Sequence, residues 1–307
     1  MKRRIVQHGS SSLTITLPIK WVKKFGLKKG DEIQVEEAGP MLQVSTQQAI
    51  AAARKKVSTT DYGIFTKNNL SHLYQLGYDE LEISFDDPKT LDEIKARLPE
   101  CVGYEIIDQK DNTIFIKSIA TTLESEFDTI LRKSFLITNE LAKNVLQALE
   151  QKNYKKLSEI RNLEYLNNKF TDICIRILTK RGYKIPNRTM QMYEILKSIE
   201  RIADEFKHIC DLFSKGSKDK DNKNKPDPET LKLFKDAIDY YNAFSTMFYK
   251  FDPHLKKKIY LERPVMLQKC KSQLTKSKGQ NSIFLHHIIE IIEKTYQAAG
   301  GYFALVL

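Results

Sequence analysis

The sequence predicts a multidomain α+β protein, and three observations carry that prediction. Residues 1–46 run in short stretches of alternating apolar and polar residues between turn residues, as strands do. Residues 47–120 mix that two-residue period with helical spacing, and residues 121–307 keep helical spacing throughout. A chain of 307 residues has room for two or three domains.

In the first zone, Arg3–Gln7 and Leu13–Leu17 are expected strands around the turn cluster His8–Ser12. Pro18 opens a short helix over Ile19–Phe25 and Gly26 ends it, the usual placement of proline and glycine at helix termini. Lys29-Gly30-Asp31 is a turn. Glu32–Glu37 and Met41–Ser45 then form a hairpin around Ala38-Gly39-Pro40. A unit this small cannot enclose a core of its own. A second copy is expected, with Ile15, Leu17, Ile33 and Val35 as shared core positions.

The second zone reads strand (55–59), helix (66–76), strand (80–85), helix (89–98) and a hairpin (104–108 and 113–117) turning at Lys110-Asp111-Asn112. The expected arrangement is a small α+β sandwich of ferredoxin-like type. The third zone holds helices at 122–149, 155–180, 188–214, 227–250, 254–277 and 281–306. A polar linker, 215–226, divides it into three-helix repeats at 121–214 and 227–307.

Composition limits the function. There are 50 Lys and Arg against 39 Asp and Glu, a net charge of +11, which favours an anionic partner. The four cysteines form no CxxC pair, so a cysteine-based zinc site is not expected. No secretory leader and no apolar run of membrane-spanning length is visible. The expectation is a cytoplasmic protein without membrane insertion. GxSxG, GxxxxGK[ST], GxGxxG and HExxH are all absent, so an enzyme is not expected either.

Residues 1–30 carry eight Lys or Arg and no acid, which makes one end of the first unit positive. Doubled across a two-fold axis, such a surface suits a DNA duplex. The run from Arg3 to Val44 resembles an AbrB/SpoVT swapped-hairpin domain. The matching parts are the basic first strand, the Gly9 turn, the strand ending at Pro18, the short helix, and Gly26-Leu27-Lys28-Lys29-Gly30-Asp31-Glu32. The resemblance implies a dimeric β-barrel that binds DNA. By matched position, Arg3, Arg4, Lys20, Lys23 and Lys24 are the expected DNA contacts.

The helical zone adds paired donors. At about 100° per residue, Ile195, Ile199, Ile202, Ala203, Phe206, Ile209 and Phe213 form one stripe, with Glu200 and Asp204 stacked on its flank. With a stripe of Ile160, Leu163, Leu166, Phe170, Ile173 and Ile177, Glu164 and Asn168 take the same offsets on the second helix. His286 and Glu290 take them on the sixth. Such pairs can chelate a cation. Oxygen donors admit Mg, Mn or Fe, and a histidine favours Zn, Fe or Ni.

Glu200-Arg201-Ile202-Ala203-Asp204 resembles the ExxxD signature of PhoU proteins. Glu164–Asn168 matches the second-helix motif, with Asn168 where the family has Asp, and His286 and Glu290 stand at a third equivalent position. The fifth helix departs, with Met266 four residues after Glu262 and Pro264 between. The resemblance implies two tandem three-helix bundles bearing divalent or iron-type metal ions. The three zones in this order resemble archaeal phosphate-uptake regulators. The expected protein is a homodimeric, phosphate-responsive transcriptional regulator with double-stranded DNA as partner. The alternative is an adaptor that docks on a phosphate transporter or signalling component and uses its N-terminal domain only to dimerise.

Overall fold

The computed structural model describes residues 2–38, 41–46, 52–63, 65–119, 126–214 and 225–306. It divides into two compact units, Met1–Lys55 and Lys56–Leu307.

In the first unit β1 (Val6–His8) pairs antiparallel with β2 (Ser12–Thr14), with Gln7 opposite Leu13. Both strands are shorter than expected, because within one chain each has only the other to pair with. The chain reverses at Gly9, whose φ of 71° is left-handed and favours glycine. α1 (Ile19–Lys24) follows Pro18 and stops before Gly26, another left-handed glycine. The Lys28 amide donates to the Asp31 carboxylate at 2.7 Å and closes the next turn. β3 (Gln34–Ala38) and β4 (Met41–Ser45) form the second hairpin, with Val35 opposite Val44. Gly39 and Pro40 lie outside the described residues.

The strands carry almost no core. Ile5, Val6, Leu13, Ile15, Ile19, Val35, Met41 and Leu42 are each between 51% and 73% exposed. Two of the expected shared-core residues, Ile15 and Val35, are in this set. Leu17 and Ile33 are half-buried.

The next segment contains β5 (Arg54–Ser58), α2 (Lys67–Gln75), β6 (Glu80–Ser84), α3 (Lys89–Arg97), β7 (Tyr104–Lys110) and β8 (Thr113–Ser118). They build a four-stranded sheet in the order β5-β6-β8-β7. A ferredoxin-like sandwich runs strand–helix–strand–strand–helix–strand. Here the hairpin comes last, and β8 inserts between β6 and β7 with Ile83 opposite Ile114. The ferredoxin-like expectation is therefore corrected. Leu70, Tyr74, Leu81, Ile83, Ile94, Ile114 and Ile116 form the core of this segment.

The helical zone contains α4 (Phe127–Glu150), α5 (Leu157–Ile160), α6 (Leu163–Arg181), α7 (Thr189–Ser214), α8 (Pro228–Tyr249), α9 (Pro253–Leu274) and α10 (Gln280–Val306). Residues 122–125 of the expected first helix and 215–224 of the linker lie outside the described residues. The single helix expected over 155–180 is interrupted. Hydrogen bonds tighten to i→i−3 at Asn162 and Glu164, and the helix restarts at Leu163. The α7 stripe from Ile195 to Phe213 is fully buried, as its periodicity predicts. Phe206, Phe213, Phe234 and Phe284 join α7, α8 and α10 in one aromatic core. No helix among the described residues is long and apolar enough to cross a membrane.

The expected stripe on α6 is wrong in one respect. Leu166 is exposed and Leu163 only half-buried, whereas Glu164, Asn167, Asn168, Asp172 and Arg176 are buried. α6 is covered on two sides, by α4 and α7 and by α2 with the turn at Leu98–Glu100. The α+β segment and the helices thus belong to one unit.

Candidate functional site

Glu164, Asn168, Asp172, Arg176 and Lys180 recur every fourth residue along α6. That spacing keeps them on one slowly turning face. It is polar because it meets polar partners across the helix–sheet junction.

At its C-terminal end, Arg176 donates to the carbonyls of Tyr74 (2.9 Å) and Tyr78 (2.7 Å) and to Asp79 Oδ1 (2.6 Å). Its guanidinium also lies over the rings of Tyr74 and Tyr104. Lys180 reaches the same Asp79 oxygen at 2.8 Å. One turn earlier Asp172 accepts from Gln75 Nε2 at 2.5 Å and lies 3.4 Å from Arg97 Nη2. Arg97 also pairs with Glu100 and donates to Ser71. Burial pushes the Asp172 carboxyl up to about 7. The nearby Glu200 charge pushes the same way, and Arg97 opposes both.

The N-terminal end of the stripe opens into a cavity of about 310 Å³ between α2 and the α6–α7 face. Glu164, Asn168, Glu200 and Asp204 all line it, so four of the six expected metal-site residues do converge. They converge with company. Lys207 Nζ donates to Glu164 at 2.9 Å and to Asp204, and Lys197 pairs with Glu200. Asn168 Nδ2 donates to Glu164 Oε1 at 2.7 Å. The two carboxylates raise the Lys207 ammonium pKa against the opposing effect of burial. Each of the three acids is already paired with an ammonium, Lys207 being shared between two of them. Among the described residues no group of three or more His, Cys, Asp and Glu is placed to hold a metal ion. In this arrangement the residues do not fit a metal, and Asn168 lacks the charge that an aspartate would add.

The other two expected ligands do not form a site together. His286 is exposed, while Glu290 faces Lys294 at 2.7 Å. The inward histidine is its neighbour: His287 Nδ1 lies 2.6 Å from Glu205 Oε2, and Lys294 holds the other oxygen at 2.6 Å. Burial would raise the Glu205 carboxyl, but these hydrogen bonds outweigh it and hold the carboxyl down at about 2. His208 stacks on His287 with ring centroids 5.5 Å apart.

Arg3, Arg4, Lys20 and Lys23 of the first unit are exposed; the side chain of Lys24 lies outside the described residues. Sequence reasoning missed Lys197, Lys207, Arg97, Asp172 and Arg176. The last two carried a signal in the four-residue polar spacing of α6; the others carried none.

Residues 6–42 match the model of the antidote-toxin recognition family MazE, a bacterial antitoxin, and residues 131–213 match that of the PhoU domain. Neither a curated protein nor a solved structure gave a match to the chain. The PhoU match covers α4, α6 and α7, the helices that carry the polar stripe and the Glu200–Asp204 motif. Residues 6–42 are thus similar to a MazE-type antitoxin domain and residues 131–213 to a PhoU domain, in that order along the chain.

Proposed function

We propose that the protein is a phosphate-responsive, non-enzymatic regulator of phosphate uptake that dimerises and binds DNA through residues 1–46. The PhoU match supports the phosphate side and the MazE-type match the DNA side. One observation carries the reading furthest. The first unit combines an acid-free basic end with a set of exposed apolar residues on both hairpins. An apolar set of this kind marks an interface. A swapped-hairpin dimer would cover it and bring two sets of Arg3, Arg4, Lys20, Lys23 and Lys24 together.

Fluorescence anisotropy with duplex DNA tests this. If the four described cations of each protomer neutralise one phosphate each, the slope of log K against log salt approaches about −7. Absence of binding at about 50 mM salt would remove DNA from the function. It would leave the adaptor reading, in which the exposed apolar set serves dimerisation alone.

A further inference from the structure

We propose that the cavity between α2 and the α6–α7 face binds a protonated tetrahedral oxyanion, hydrogen phosphate being the simplest. This rests on the phosphate-responsive reading above and names its ligand. The lining residues supply more donors than they use. An ammonium carries three donors. Lys207 spends two on Glu164 and Asp204, Lys197 spends one on Glu200, and the Lys67 ammonium makes no hydrogen bond among the described residues. All three line the cavity, which is enough to hold a small anion without breaking an existing pair.

One lining residue also carries a buried acceptor with nothing to accept. Asn168 is 8% exposed, and its Oδ1 is buried without a partner. Its orientation is fixed, because Glu164 Oε1 is an acceptor and must face the amide nitrogen. A buried acceptor left unmade costs about 1–3 kcal/mol. The ligand that answers the whole inventory has several acceptor oxygens and at least one O–H. Hydrogen phosphate has both. Sulfate has no proton to give at neutral pH. The lining acids Glu164, Glu200 and Asp204 supply the discrimination, since they accept from a P–OH and sulfate offers none.

The cavity also lies where binding would be felt. Lys67 stands at the start of α2, and Gln75 at its end holds Asp172 of α6. An anion gripped by Lys67, Lys197 and Lys207 would tie α2 to the helical face.

Isothermal titration calorimetry on the full chain tests the assignment, with inorganic phosphate, glycerol phosphate and sulfate as probes and no DNA present. Phosphate is expected to bind at least tenfold more tightly than sulfate. Lys67→Ala removes an exposed donor and leaves its backbone bond to Glu93 intact. It should weaken phosphate binding about tenfold, the equivalent of about 1.4 kcal/mol. Asn168→Asp adds a second charge beside Glu164 and should weaken binding by at least as much, with thermal unfolding checking that both variants fold. Tighter binding of glycerol phosphate than of phosphate would count against the P–OH requirement, because a phosphomonoester has lost most of that proton at neutral pH. Three outcomes overturn the proposal: no heat at millimolar phosphate, equal affinity for sulfate, or unchanged affinity in both folded variants. Manganese or zinc binding that tightens in Asn168→Asp, with no response to phosphate, would make this a metal site and also overturn it. A protein that binds phosphate here but never DNA keeps this proposal and sinks only the DNA reading.

Discussion

Replacing Arg176 by alanine should loosen the α+β segment from the helices. The wild-type side chain makes three charge-assisted hydrogen bonds at 2.6–2.9 Å, two of them to backbone carbonyls of Tyr74 and Tyr78. Bonds to a charged donor contribute about 1.5–3 kcal/mol each. Part of that sum is offset, because desolvating the guanidinium already costs several kcal/mol and Asp79 keeps Lys180 as a partner. What remains is the cost of two carbonyls without a donor and the lost stacking on Tyr74 and Tyr104. Removing one member of such a buried set costs about 3–5 kcal/mol. At about 2–4 °C per kcal/mol for a unit of this size, Tm should fall by roughly 10 °C. Thermal and urea unfolding of the full chain, followed by circular dichroism, measure the fall in Tm and the loss of stability. Hydrogen exchange at Tyr74–Asp79 should rise in parallel. Arg176→Lys should recover little, since one ammonium cannot span three acceptors in the geometry of a planar fork. A loss under about 1 kcal/mol, with unchanged exchange at the α2–β6 loop, would refute the reasoning.

Two more perturbations follow from the same geometry. The folded Asp172 carboxyl titrates at about 7, well above the usual value of about 3.9. Between these values the folded protein holds a proton that the unfolded chain has released, so stability is fully present below about pH 4 and declines as pH rises through 7. Urea midpoints of wild type and Asp172→Asn across pH 4–8 read this directly, and the wild-type decline should flatten in the variant; parallel profiles would count against it. In the first unit, Val35→Glu charges a residue that is 54% exposed in one chain. Light scattering should give twice the 35.6 kDa chain mass for wild type and less for the variant. A monomeric wild type would remove the dimer.

The two hairpins, the short helix and the paired carboxylates were legible because each rests on local chemistry. Gly9 and Gly26 adopt the left-handed φ that their turns require. The Ile195–Phe213 stripe is buried because α7 has one apolar face and one core to meet. The sheet order was not legible, since where β8 inserts depends on a pairing between β6 and β8 that is about thirty residues distant in sequence. α6 failed for a sharper reason. A helix with one buried face announces that face by apolar spacing. One covered on two sides does not, and if its second cover is polar its buried residues look like surface.

That difference alters what the Glu164–Asn168 and Glu200–Asp204 pairs mean. Read as an exposed flank, two acid-bearing pairs one turn apart suggest a cation site. Under the cover of α2 the same oxygens need partners within the fold, and Lys197 and Lys207 supply them. Once these pairs are made, Lys67, Lys197 and Lys207 still have donors to spare for an anion in the cavity. Replacing one carboxylate of the family motif by an amide therefore does more than weaken a metal site. It removes a charge that would repel an anion.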